Sequence, residues 1–184
     1  MSLVEGFTFL LGGARSGKSD LAQRLIASVG SRVSVVVTAE AGDAEMVDRI
    51  SRHQLSRPKS WATLEAPRSL GATISGVPSD HALLVDCISF WVANRVMDGD
   101  PSEAIESEAG NIARHLAARL SPVVVVGNEV GQGLVPADEV SRRFRDVNGR
   151  VNRILADTAD KSLLVVAGRL LPLQPAEDIF GPLP

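Results

Sequence analysis

A chain of 184 residues suits a single domain spanning 1–184, long enough to bury roughly two-thirds of its unfolded surface. With 45% hydrophobic and 22% charged residues it reads as a folded globule, and a net charge of −3 argues against a broad nucleic-acid surface. One cysteine, Cys87, leaves no intrachain disulfide framework; with no membrane-length apolar run and no basic-then-apolar leader, the expected location is the cytoplasm.

In chain order, FTFLL at 7–11 reads as a buried strand, followed by GGARSGKS at 12–19 and an amphipathic helix over 19–29. RVSVVVT (32–38) predicts a second strand and 43–55 a second helix. ALLVD (82–86) predicts a third strand, and 101–120 a long helix. PVVVVG (122–127), a helix over 138–159 and SLLVVAG (162–168) complete the pattern, before a Pro-rich, loosely ordered tail at 174–184. Four of these strands are nearly continuous in Val and Leu, as strands buried on both faces of a parallel sheet are. The alternation predicts a three-layer α/β fold of the P-loop nucleoside-triphosphatase type, with a mostly parallel central sheet. Ligands in such folds sit beyond the carboxyl ends of the strands. That rule gathers 12–19, 38–40, 86–87 and 128–129 on one rim.

GGARSGKS fits G-x-x-x-x-G-K-[ST], a loop that wraps phosphates with backbone N–H groups at a helix N-terminus. Gly12, Gly13, Ala14, Arg15, Ser16 and Gly17 form the cradle, Lys18 reaches the outer phosphates, and Ser19 ligates Mg²⁺ through its hydroxyl. The plainer reading is a glycine-rich turn. Asp86, closing the third strand, is placed to be the second partner of Mg²⁺, or else the N-cap of the segment that follows. Cys87 reads as a small buried residue rather than a nucleophile.

On a helix over 43–55, Met46, Ile50 and His53 share a stripe, which by itself favours a core histidine. Arg49, Arg52 and Arg57 surround it in sequence and favour an anion site, where a neutral imidazole is a competent nucleophile toward phosphorus. NEVGQGLVP (128–136) is either a tight connection or a rim loop carrying Asn128 and Glu129 toward a ligand. His81 and His115 fall in no recognisable motif, and the scattered histidines make a zinc site improbable.

GGARSGKS, RISRHQLSRPKSWATLE, LLVDCISFWVAN, VVVVGNEVGQGLVP and FRDVNGRVNRILAD, in that order, resemble the bifunctional adenosylcobinamide kinase/adenosylcobinamide-phosphate guanylyltransferase family of cobalamin biosynthesis. The resemblance runs from about residue 7 to residue 173; Gln54 departs from it, standing where the family usually has a basic residue. It implies that ATP or GTP phosphorylates adenosylcobinamide and that GMP then passes from GTP through a histidine to give adenosylcobinamide-GDP. His53 matches the guanylylated histidine by its spacing to Arg57 and Pro58. Thr38, Ala39, Glu40, Gln54, Leu55, Ser56, Arg57, Glu65 and Asp86 correspond to nucleotide-contacting positions. The resemblance also implies a homo-oligomer, with corrinoid and nucleotides as small-molecule partners.

Two other readings compete. A single-function P-loop small-molecule kinase would leave His53 structural. A GTP-dependent switch needs an N-K-x-D segment, and the nearest candidate, Asn128-Glu129-Val130-Gly131, lacks both the lysine and the aspartate.

Overall fold

The computed structural model describes residues 4–30, 32–42, 44–55 and 57–181, without the side chains of Glu45 and Arg49. Seven strands form one sheet in the order β3-β2-β4-β5-β1-β6-β7. They are β1 (Phe7–Gly12), β2 (Val33–Val37), β3 (Ala62–Glu65), β4 (Ala82–Asp86), β5 (Val123–Asn128), β6 (Lys161–Val166) and β7 (Arg169–Leu173). Every pairing is parallel except β6 with β7, so the architecture is the expected mostly parallel α/β sheet.

Alternate residues of the central strands enter two separate cores. Phe7, Phe9, Leu83, Val85, Val123 and Val125 point to one face, against α3 (Leu70–Ser75), α4 (Ile88–Met97), α5 (Ser102–Ala117) and α6 (Glu139–Thr158). Leu10, Leu84, Val124 and Val126 point to the other, against Ala22 and Ile26 of α1 (Lys18–Ala27). Burial on both faces explains why these strands lack hydrophobic alternation. Each such Val, Leu or Phe contributes about 1.5–3 kcal/mol relative to exposure. Trp91 of α4 is the largest fully buried side chain, and its indole N–H donates to the Arg68 carbonyl at 2.9 Å.

Sequence reasoning placed α1, α5, α6 and α2 (Ala44–Leu55) within a few residues of their observed ends. β3, α3, β7 and α7 (Ala176–Phe180) are absent from the sequence pattern, and α4 enters it only as the segment that Asp86 would alternatively cap; α7 lies inside the tail expected to be loosely ordered. β3 and β7 are edge strands whose residues stay exposed, so neither shows the buried Val- and Leu-rich run of the central strands, and Pro172 interrupts the leucines of β7. α4 is apolar nearly all round because it lies between the sheet and α5–α6, which blurs its helical period.

Candidate active site

The carboxyl ends of β1, β2, β3, β4 and β5 meet at one edge of the sheet. Gly12 faces Asn128 in register, and Val37 stands between Glu65 and Asp86. A cavity of about 390 Å³ opens above this edge. Lys18, Ser19, Ala39, Glu40, His53, Gln54, Arg57, Glu65, Asp86 and Asn128 are in its wall. Residues distant in sequence are brought together by the parallel strand ends, as the topology requires.

The 12–19 loop is held by its backbone. A Cβ on Gly12 would lie 2.5 Å from the Val165 carbonyl oxygen, so a side chain there has no room. Gly17, at φ 92°, caps α1 in the left-handed region that glycine tolerates. The Gly168 N–H donates to the Ser16 carbonyl at 2.9 Å, and the Glu129 N–H donates to the Gly12 carbonyl at 3.0 Å. Lys18 is buried and its ammonium donates to the Gly13 carbonyl at 2.7 Å, folding the charge into the loop. Gly13, Ala14 and Arg15 are exposed, whereas the Ser16 hydroxyl is buried without a hydrogen-bond partner. An orphaned buried hydroxyl in a glycine-rich loop at a helix N-terminus suits an oxyanion.

Asp86 does not cap the helix after it; Cys87 occupies that position. The Asp86 carboxylate instead accepts from the Ser19 hydroxyl at 3.2 Å and lies 3.8 Å from Arg57 Nη2. Hydroxyl and carboxylate oxygens converging in this way form a hard donor set that fits Mg²⁺. Burial lowers the pKa of the Arg57 guanidinium, and the charge of Asp86 partly offsets that loss. The Cys87 thiol is pushed up to about 12, first by burial and then by Asp86, so it stays protonated and unreactive.

On α2, Met46, Ile50, His53 and Gln54 face the cavity. The stripe that alone would have suggested a core histidine therefore lines the site wall, and His53 is half-buried there. The arginines disperse: Arg52 pairs with Asp48 at 2.7 Å on the exposed face, while Arg57 turns to Asp86. The Arg49 side chain and all of Ser56 lie outside the described residues. Leu55 is 85% exposed and is not in the cavity wall.

The loop after β2 is fixed from behind. Thr38 is buried and its hydroxyl donates to the Cys87 carbonyl. The Asn94 amide donates to both the Thr38 and Pro67 carbonyls, at 3.0 and 2.9 Å. Glu40 pairs with Arg68, which also holds Asp98. Among the described residues no cation pairs with Glu65. Asn94, Arg68 and Ser89 were not singled out from sequence; Asn94 and Ser89 lie inside LLVDCISFWVAN, but their backbone partners are not encoded locally. His81 bonds Ser34 at 2.8 Å and His115 is exposed, both away from the cavity.

Residues 8–173 match the family model for cobinamide kinase/cobinamide phosphate guanyltransferase. A bifunctional adenosylcobalamin biosynthesis protein CobP of Pseudomonas aeruginosa is 41% identical over 166 residues, covering 90% of this chain and 95% of that one. Proteins of Salmonella typhimurium and Escherichia coli, both named bifunctional adenosylcobalamin biosynthesis protein CobU, are 38% and 37% identical, each covering 85% of this chain and 93% of the relative. Among solved structures, a Pyrococcus horikoshii protein superposes with a TM-score of 0.57 at 8% identity, covering 96% of this chain and 89% of that one. An ATPase from a bacterial type III secretion system gives 0.53 at 11% identity, covering 88% of this chain and 51% of that one. These two likenesses concern the fold alone.

Proposed function

The chain belongs to the cobinamide kinase/cobinamide phosphate guanyltransferase family, and from that premise we propose that a single rim cavity carries both reactions. It is a bifunctional enzyme of adenosylcobalamin biosynthesis that uses nucleotide co-substrates. The observation that carries the proposal is that Lys18 and Ser19 at the end of the 12–19 loop, Asp86 and the His53-bearing face of α2 line the same cavity.

In the kinase reaction the aminopropanol hydroxyl of adenosylcobinamide attacks the γ-phosphorus of ATP or GTP. The new O–P bond forms as the bond to the departing diphosphate breaks, and the hydroxyl proton passes to water. Backbone N–H groups of 12–17 hold the phosphates, and Lys18 moves from the Gly13 carbonyl onto the outer ones. Ser19 and Asp86 would hold Mg²⁺, which supplies charge neutralisation on the phosphates. In the second reaction a ring nitrogen of His53 attacks the α-phosphorus of GTP and pyrophosphate leaves. The phosphate of adenosylcobinamide phosphate then displaces His53, giving adenosylcobinamide-GDP and restoring the imidazole. Arg57 faces this centre as a fixed cation, while Ala39, Glu40 and Gln54 border the nucleotide, with Thr38 anchoring their loop. Glu65, with no paired cation among the described residues, is suited to accept from the guanine N1–H and N2 amino group, donors that adenine lacks.

Supplied with adenosylcobinamide and excess GTP, the wild-type enzyme is expected to make adenosylcobinamide-GDP. His53→Ala is expected to stop at adenosylcobinamide phosphate. Formation of adenosylcobinamide-GDP by the variant at the wild-type rate would refute the role of His53.

We also infer a homo-oligomer. Support comes from the β7 edge, where Leu170, Leu171 and Leu173, with Ile179 and Phe180 of α7, remain at least 40% exposed. A monomeric mass by sedimentation at micromolar concentration contradicts this.

A further inference from the structure

β5 lies between β4, which ends in Asp86, and β1, which leads into the phosphate loop. Its last residue, Asn128, is held by three side chains from two helices. The Ser89 hydroxyl of α4 accepts the Asn128 N–H at 2.8 Å. The side-chain amides of Asn148 and Asn152, both on α6, donate to the Asn128 carbonyl at 2.9 and 3.0 Å. All three side chains are buried, and the Oδ1 atoms of both asparagines are left without partners. Burying two unmatched carbonyl oxygens to fix one peptide is unfavourable, and packing does not require it, since apolar residues would fill the same helix face. The approach is close: a Cβ on neighbouring Gly127 would lie 2.9 Å from the Phe9 ring and 3.1 Å from Asn152 Oδ1. The residue so fixed lines the cavity with Lys18, Ser19 and Asp86, and its own amide side chain bonds nothing among the described residues.

We propose that Asn128 is a catalytic residue of the kinase half-reaction, donating through its side-chain amide to the transferring γ-phosphoryl group. Ser89, Asn148 and Asn152 are positioning residues that hold it there. The inference rests on the two-reaction reading above. Its discriminating content is selectivity, because guanylyl transfer occurs at the α-phosphorus, two bridging oxygens away along the triphosphate.

Asn128→Ala tests this in the full-length protein through two separate readouts: adenosylcobinamide phosphorylation, and single-turnover labelling of the protein by GTP carrying label at the α-phosphate. Loss of one donor to a developing oxyanion predicts a fall in kinase kcat of about 100-fold. That fall should exceed any change in labelling rate by at least tenfold, with KM for the nucleotide moving little. Asn128→Asp, which offers charge in place of a donor, is expected to be at least as slow in the kinase step. Asn152→Ala is expected to show the same split to a smaller degree. Equal losses in both readouts, or a kinase rate within threefold of wild type, overturn the inference. A wild-type protein with neither activity instead refutes the functional reading beneath it.

Discussion

Positive charge at the rim is stored in internal pairs. Lys18 rests on the Gly13 carbonyl, Arg57 on Asp86, and Arg68 between Glu40 and Asp98. Under the proposed function an arriving triphosphate competes for the first, since its oxygens accept more strongly from a cation than a neutral carbonyl does. Lys18→Ala is therefore expected to lower kcat/KM of the kinase reaction by about 100-fold. Steady-state assay checks this, and a change below threefold contradicts it. At this scale Lys18 and Ser19 were legible because phosphate geometry dictates their spacing from the glycines. Asn148 and Asn152 were not. An asparagine in an amphipathic helix leaves no periodic trace, and their shared acceptor lies 20 and 24 residues away.

α6 shows how an element is set by its ends as well as its packed face. Asp138 caps it, accepting from the Ser141 N–H at 2.8 Å, while Val147, Val151 and Leu155 bury the opposite stripe. The Ser141 backbone N–H holds the Asp138 carboxyl below its usual range. A carboxyl whose folded pKa is depressed contributes stability above its unfolded pKa, near 4, and loses it as pH falls through the lower folded value. Asp138→Ala should thus lower the thermal midpoint at pH 7, with the gap to wild type closing below about pH 4. A gap of the same size at pH 7 and pH 2.5 would contradict the cap's electrostatic contribution. The helix was legible because cap and period agree. α4 was not, because its residues Ile88, Trp91, Val92 and Val96 are buried while Phe90 packs on the other core, leaving little polar face to mark a period. The short edge strands β3 and β7 escaped for another reason: β3 is four residues long without an apolar run, and Pro172 breaks the leucines of β7.

Across the whole molecule, the central strands are covered on both faces and make a platform, and the candidate site residues line a cavity at its carboxyl edge. The phosphate loop and Asp86 are built into that platform through strand register and fixed backbone contacts. α2 sits differently. Its Met46, Ile50 and His53 meet the cavity rather than either core, and Val47 and Leu55 are exposed. Under the proposed function, a loosely embedded element carrying His53 beside Lys18, Ser19 and Asp86 would let one cavity serve reactions at two different phosphorus atoms. Elements with few buried apolar contacts lie at the low-stability end of a fold, where ligand-responsive segments are found.

The most direct test of that arrangement is incubation of the purified protein with Mg²⁺ and GTP labelled at the α-phosphate, followed by denaturing electrophoresis beside His53→Ala. The account predicts label that remains on the wild-type chain, survives base, is released by acid and is absent from the variant. No label on wild-type protein shown to bind GTP, or equal label on His53→Ala, would contradict the assignment of His53 as the carrier of GMP.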